Sequence, residues 1–213
     1  MSATTTSLLR TPSGREDGPG QENQPDQDEP DGLYGPRGWS VRAGVWDVLA
    51  RARDEMRSTT VPGRFGLAPQ GGIRGGRPVD DYTPFHDMGP SEARRLLEIL
   101  PADQLEDRQN LGPTLGSLLH ACAGASGRVR LSGYGIGPQR TDERVTVEAL
   151  WVADPDLMDL EVYEDHDDGC CCTQVWRQVE ERYGLDAQAA PDEIKVVRRL
   201  WTSGEPGTWM WWD

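Results

Sequence analysis

The sequence predicts an α+β fold, in which N-terminal helices pack on a small and mostly antiparallel sheet. Apolar residues between positions 41 and 122 recur every three or four residues, which is the spacing of amphipathic helices. From Val129 onward they alternate with polar residues, which is the pattern of half-buried strands. Because one helical segment stands among these later strands, we expect a single α+β domain over 39–213, with a helical part 39–125 and a strand-rich part 126–213.

Residues 1–38 differ in composition from the rest of the chain. They carry seven acids, three arginines, five prolines and several glycines, but few large apolar side chains. Such a segment buries too little apolar surface to offset the entropy lost on ordering it. We therefore expect an acidic, Pro- and Gly-rich disordered tail that precedes the domain.

Three helices are predicted in the helical part of the domain. The first spans roughly 41–57, and Ser40 is placed to cap its N-terminus. A long connection, 61–78, follows it and is rich in glycine and proline. The second and third helices begin at Pro90 and Pro113, since proline suits the first turn of a helix.

The strand-rich part begins with a predicted antiparallel pair. Alternating apolar residues mark one strand near 129–131 and a second at 145–151. The glycine-rich sequence 133–138 is predicted to be the turn between them. A third strand is predicted at 158–163.

The C-terminal part is predicted to hold a helix and a hairpin. Helix 172–183 carries an apolar face and ends at Gly184, which suits the left-handed conformation after a helix. The segment 192–201 fits a helical face as well as a β-branched strand. We favour a strand, paired with 208–212 as a terminal hairpin.

Charge is unevenly distributed along the chain. Against 36 Asp and Glu residues stand only 22 Lys and Arg, so the formal net charge is -14 and the pI about 4.6. This charge disfavours sequence-independent nucleic-acid binding and adsorption to anionic membranes.

Residues 141–168, named here the acidic stretch, have a summed charge of -10. They are either a solvated surface or a docking surface for a basic protein partner. The acids predicted to bind that partner are Asp154, Asp156, Asp159, Glu161, Glu164, Asp165, Asp167 and Asp168.

Tryptophans are concentrated at the C-terminus. On a strand, Trp209 and Trp211 share one face, and Met210 and Trp212 share the other. This strand either closes the core with both faces or presents one face to a partner, because tryptophan is enriched both in large buried clusters and in binding hot spots. The tryptophans Trp209, Trp211 and Trp212 are thus further candidate partner-binding residues.

The cysteines suggest an alternative function. Cys170, Cys171 and Cys172, named here the cysteine cluster, are adjacent and cannot link distant loops as a regular disulfide framework. Thiolates and imidazoles are the ligands that zinc prefers. A zinc site is therefore an alternative reading, with the ligands drawn from His120, Cys122, His166, Cys170, Cys171 and Cys172. Against it, the spacings do not match those of structural zinc sites, and the helical pattern buries Cys122 in the core.

Sequence motifs of catalysis are missing from the chain. It has no phosphate loop, no nucleophile elbow and no His-Glu-x-x-His, and no pair of titratable groups marks an acid-base centre. We expect a non-catalytic interaction or accessory protein, without a cofactor. An enzyme with an unrecognised site is the second alternative.

Other features of the sequence indicate its setting. The chain has no signal-peptide pattern and no apolar run long enough for a membrane span, so we expect a cytoplasmic protein. Only one of its basic residues is a lysine, a bias that we interpret as GC-rich coding in a bacterium, plasmid or phage.

Overall fold

The computed structural model describes residues 31–59, 72–163, 169–198 and 205–213. Its elements, in chain order, are β1 (Asp31–Gly32), β2 (Gly35–Pro36), α1 (Trp39–Arg42), α2 (Val45–Thr59), β3 (Ile73–Arg74), β4 (Arg77–Pro78), β5 (Tyr82–Met88), α3 (Pro90–Ile99), α4 (Ala102–Leu105), α5 (Leu115–Gly124), β6 (Val129–Ile136), β7 (Arg144–Val152), a 3-10 helix (Pro155–Asp159), α6 (Cys172–Tyr183), β8 (Glu193–Arg198) and β9 (Pro206–Trp211). Helices and antiparallel sheets together confirm the predicted α+β class.

A five-stranded antiparallel sheet organises these elements. Its order is β5-β6-β7-β9-β8, so the C-terminal strand β9 lies inside the sheet, between β7 and β8. Leu150 of β7 pairs with Met210 of β9, which in turn pairs with Ile194 of β8. The predicted antiparallel pair and the predicted terminal hairpin are therefore both confirmed.

Helices pack on one face of this sheet. The core cluster joins apolar residues of α2, α3, α5 and α6 to inward-facing residues of the strands. Gly135 of β6 shows how closely helix and sheet approach, because a Cβ atom there would lie 2.8 Å from the indole of Trp46 and 2.9 Å from Leu49. The predicted helices that begin near Pro90 and Pro113 are present as α3 and α5, and α6 has the predicted bounds. Gly184 ends α6 at a φ of 63°, and the Leu185 amide bonds to the Glu180 carbonyl as in a Schellman ending.

The first helix and the start of the folded part differ from the prediction. Composition assigns residues 31–38 to the tail, but 31–36 form the β1–β2 hairpin and Gly38 precedes α1. The Leu33 amide in this hairpin donates to the Thr141 carbonyl at 3.0 Å. The predicted helix 41–57 is divided into α1 and α2 because Gly44 adopts a left-handed φ of 77°. Ser40 is not the N-cap: it lies inside α1 and is buried. Residues 1–30 of the predicted tail lie outside the described residues.

Strand β5 is not predicted by the sequence. Pro84 and the turn-like Asp87 are typical of a loop, but β5 is an edge strand, where a proline breaks no ladder on its outer side. The pairing with β6 is irregular between Phe85 and Met88, where Asp87 has a φ of 59°. The helical part of the domain therefore contributes a strand to the main sheet.

Two further predictions about strands are wrong. Segment 158–163 is not a strand: the 3-10 helix occupies its start, and the Leu160 amide bonds to the Leu157 carbonyl instead of to a neighbouring strand. The predicted turn 133–138 begins too early, because β6 continues through Gly133 to Ile136. Of the predicted connection 61–78, the described end folds as the β3–β4 hairpin.

Among the described helices, none combines the length and the apolar character that a membrane crossing requires.

Candidate functional site

The face of the sheet opposite the helices carries a group of aromatic side chains. Strand alternation places the tryptophans there, because their neighbours Leu150, Val152, Met210 and Trp212 lie in the core. The tyrosines lie on the same side, since Tyr134 shares a face of β6 with Arg130, the register partner of Trp151, and Tyr82 packs against Tyr134. None of them belongs to the core cluster, although Trp151 is only 5% exposed. We name this surface the open face and define it by Tyr82, Tyr134, Trp151, Trp209 and Trp211.

The C-terminal tryptophans divide between the two faces of β9. Met210 and Trp212 lie in the core with 0% and 3% exposure. The indole of Trp212 packs edge-on against Trp176 at 5.4 Å and donates to the Ala189 carbonyl. Trp209 and Trp211 are half-buried on the open face, where their rings stack at 6.2 Å with an interplanar angle of 12°. Trp212 is therefore a core residue, whereas Trp209 and Trp211 are accessible to a partner.

A row of residues crosses four strands of the open face. Register pairs Arg130 with Trp151, Trp151 with Trp209, and Trp209 with Lys195. The Trp151 indole lies over Gly207, where a Cβ atom would be only 2.3 Å from the ring. Its Nε1 donates to the Val197 carbonyl at 3.3 Å. The row therefore places Trp209 between Trp151 and Lys195, whose ammonium pairs with Glu193.

The other end of the open face carries two tyrosines. The rings of Tyr82 and Tyr134 are 4.9 Å apart, and Tyr82 is 40% exposed. Burial, together with the nearby Glu148 carboxylate and Tyr134, raises the pKa of Tyr82. The Tyr82 phenol is therefore neutral at physiological pH, and both side chains present apolar rings with a polar tip.

Asp154 of the acidic stretch is not available to a partner. It is 1% exposed and accepts hydrogen bonds from Arg182 at 2.8 Å and from the Tyr183 hydroxyl at 2.7 Å. Arg128 adds a longer ion pair at 3.4 Å. Burial and the bond to Asp154 raise the pKa of Tyr183, so that hydroxyl stays protonated. The role of Asp154 is to join the end of β7 to the end of α6, which corrects its prediction as a contact residue.

Three other acids predicted to bind a partner, Asp156, Asp159 and Glu161, are exposed. Asp156 forms two hydrogen bonds with Arg182, which lower its pKa. Asp159 and Glu161 are exposed, and Glu161 accepts from the Tyr163 hydroxyl. The remaining candidates, Glu164, Asp165, Asp167 and Asp168, lie outside the described residues.

The structure does not assemble the predicted zinc ligands. Cys122 is fully buried in α5, with its sulfur 3.5 Å from the Met88 carbonyl and 3.4 Å from the Val129 carbonyl. Burial raises the pKa of this thiol to about 12, which opposes the thiolate that a metal needs. His120 is exposed on the other side of the same helix. Within the described ranges, no three His, Cys, Asp or Glu side chains converge as a metal site, and His166 lies outside those ranges.

The cysteine cluster forms a compact group at the start of α6. The sulfur atoms of Cys170 and Cys172 are 2.6 Å apart, and all three thiols are partly exposed. The amide of Cys171 donates to the Glu161 carbonyl at 2.8 Å, which fixes the loop. Burial and the hydrogen bond with Cys170 raise the pKa of Cys172 to about 12.

Part of the open face is predictable from the sequence. Alternation on β9 indicated that Trp209 and Trp211 share a side, but Trp151, Tyr134 and Tyr82 were not connected to them. Alternation on the predicted strand 145–151 groups Trp151 with the core residues Val145 and Val147. An irregularity of β7 opposite Ser132 and Gly133 moves Trp151 to the other face, and no local pattern indicates it. Tyr82 depended on the unpredicted strand β5. Comparisons of the chain with protein-family models, curated proteins and solved structures found no match.

Proposed function

We propose that this chain is a binding protein that contacts a protein partner through the open face of its sheet. The stacked, half-buried pair Trp209–Trp211 is the observation that carries this proposal. Aromatic side chains dominate binding energy when they are rigid and can be desolvated. The two rings are held by a strand in the interior of a sheet, so little side-chain entropy remains to be lost on binding.

The other parts of the open face extend this surface. The tyrosine pair supplies a second aromatic area. Arg130 and Lys195 stand at the ends of the central row, where Arg130 donates to the Gly127 carbonyl and Lys195 pairs with Glu193, so neither is an isolated charge facing a basic partner. Interfaces commonly combine an aromatic centre with a charged rim. The open face therefore offers the composition of a protein-binding patch.

The acidic stretch supports a second part of the proposal, which is that negative charge attracts the partner before contact is made. With a net charge of -14, the molecule attracts basic surfaces, and Asp159 and Glu161 are exposed in that stretch. Such charges mainly increase association rates and lose their effect at high salt. We therefore propose a partner with a basic surface, which is attracted by the acidic stretch and held by the tryptophans.

Photo-cross-linking in cells of the native host tests which face is used. A photoreactive residue at position 82 or 195, on the open face, should capture a partner that the same residue at position 120, on the helical side, does not. Trp209→Ala should reduce the recovered cross-link by about tenfold or more, because a central aromatic residue contributes ~2 kcal/mol or more to binding.

The matched control is Leu111→Ala, which removes a 53% exposed apolar side chain outside the open face. It should leave cross-linking unchanged, and both variants should still unfold in a cooperative thermal transition above the temperature of the assay. Equal capture from position 120, or full capture by a folded Trp209→Ala variant, would contradict the proposal. With the captured partner in hand, Asp159→Asn with Glu161→Gln should slow association at low salt and leave dissociation unchanged.

A further inference from the structure

The cysteine cluster brings two thiols within bonding reach. The sulfur atoms of Cys170 and Cys172 are 2.6 Å apart, which is closer than two non-bonded sulfur atoms approach at rest. Their backbone is constrained on both sides, because the Cys171 amide bonds to the Glu161 carbonyl and Cys172 begins α6. Little movement separates this arrangement from a disulfide.

We propose that Cys170 and Cys172 form a reversible disulfide within the chain, by exchange with a small-molecule disulfide such as oxidised glutathione. The thiolate of Cys170 attacks one sulfur of the small disulfide, forms a mixed disulfide and releases one small thiolate. Cys172 then loses its proton to solvent and attacks Cys170, which releases the second small thiolate. The small disulfide is thus reduced to two thiols while the protein dithiol is oxidised.

The order of the two attacks follows from the surroundings of Cys172. Because the pKa of Cys172 is raised to about 12, this thiol is protonated at neutral pH and does not attack first. Its hydrogen bond with Cys170 contributes to that raised pKa. Conversion of Cys170 to a mixed disulfide removes this bond and leaves the Cys172 sulfur beside the Cys170 sulfur that it attacks.

Clefts on both sides give a small disulfide access to these sulfurs. One cleft, of about 260 Å³, is lined by both cysteines together with Trp176, Pro191 and Ile194. A second cleft borders Cys170 on the side of Arg177, whose guanidinium can meet the carboxylates of a glutathione-like molecule. Both thiols are partly exposed, so neither attack requires the domain to unfold.

The other two cysteines are placed differently. Cys122 is fully buried among apolar residues of the core, where no small disulfide can reach it. The sulfur of Cys171 contacts the Gly169 carbonyl at 3.8 Å, whereas the close sulfur pair is Cys170 and Cys172. A disulfide between Cys170 and Cys172 spans a single residue at an exposed loop, and exposed or strained disulfides are the ones that are readily reduced again.

Intact-mass analysis of the full chain, after treatment with oxidised glutathione, tests the proposal. The wild type should lose two hydrogen atoms, and dithiothreitol should restore the original mass. Peptide mapping should assign the bond to Cys170 and Cys172. Cys172→Ser should instead accumulate one stable glutathione adduct on Cys170, because the resolving thiol is absent.

Cys171→Ser is the matched control and should form the disulfide as the wild type does. Circular dichroism should show that each variant keeps the wild-type fold. The proposal is overturned if the wild type stays reduced, if it accumulates glutathione adducts without an internal bond, or if mapping places the bond on Cys171 or between two chains.

Discussion

Single buried carboxylates organise the described part of the chain at positions that the sequence presents as ordinary surface charge. Glu143 is fully buried and accepts hydrogen bonds from the Gly38 amide at 2.7 Å and from the Ser40 amide at 2.9 Å. The Ser40 hydroxyl also donates to Glu143 and in turn accepts from the Trp46 indole at 2.6 Å. Glu143 therefore attaches the first helices to the turn before β7, and part of the -10 charge of the acidic stretch is structural.

Replacing Glu143 with alanine should strongly destabilise the fold. The substitution leaves two amides and a hydroxyl in the interior without their acceptor, and hydrogen bonds to a charged group contribute about 1.5–3 kcal/mol each. We expect the free energy of unfolding in urea to fall by ~3 kcal/mol or more. Asp142→Ala is the neighbouring control: its ion pairs with Arg140 and Arg144 lie at the surface, so it should cost less than ~1 kcal/mol. Similar losses in the two variants would contradict this role of Glu143.

At the scale of elements, patterns that depend on local sequence were predictable, and those that depend on neighbours were not. Helices α3, α5 and α6 follow their apolar spacing and their Pro and Gly boundaries. Strand β5 was missed because its proline is tolerated only at a sheet edge, and edge position is a property of the whole sheet. Segment 158–163 was wrongly predicted as a strand. A 3-10 helix, Pro155–Asp159, occupies its start, and Leu157 of this helix is buried in the core.

The candidate site was likewise predictable only where it depends on local sequence. Alternation on β9 separated Trp209 and Trp211 from Met210 without any knowledge of the fold. Trp151 lies beside Trp209 because β7 pairs with β9, and these strands are far apart in sequence. No local sequence pattern contains this pairing. The burial of Asp154 depends likewise on Arg182 and on the packing of α6.

The junction between α6 and α5 should make stability dependent on pH. Partial burial tends to raise the pKa of Asp186, but hydrogen bonds from Ser117 and Thr114 and the charge of Arg108 outweigh it and lower this pKa. A lowered pKa in the folded state means that the ionised carboxylate stabilises the fold. This contribution is fully present above the ordinary Asp pKa of about 4 and disappears as the pH falls through the lowered value.

Asp186→Asn should therefore be less stable than the wild type at pH 7, and the difference should shrink as the pH falls below about 4. Urea unfolding of both proteins across this range measures the difference directly. Glu98→Gln, whose carboxylate pairs with Arg95 on the exposed side of α3, is the control and should show little difference from the wild type at any pH. A difference between Asp186→Asn and the wild type that did not change with pH would show that the carboxylate charge is not involved.

At the scale of the molecule, the C-terminal strand connects the core and the open face. Strand β9 pairs with β7 on one side and with β8 on the other, so among the described strands β8 joins the sheet through β9 alone. Its inward residues Met210 and Trp212 lie in the core, and its outward residues Trp209 and Trp211 form the stacked pair. Folding and the proposed binding surface therefore depend on the same short segment.

Deletion of residues 209–213 should abolish cooperative folding. Loss of a buried methionine costs ~2–5 kcal/mol and loss of a buried tryptophan ~3–5 kcal/mol, before the strand pairing with β7 and β8 is counted. Their sum approaches the whole stability of a typical domain, about 5–15 kcal/mol. Thermal unfolding followed by circular dichroism should show no cooperative transition for this deletion, whereas removal of the exposed Asp213 alone should leave a transition near that of the wild type. A cooperative transition in the longer deletion would mean that the core closes without β9, and the open face would then be separable from the fold.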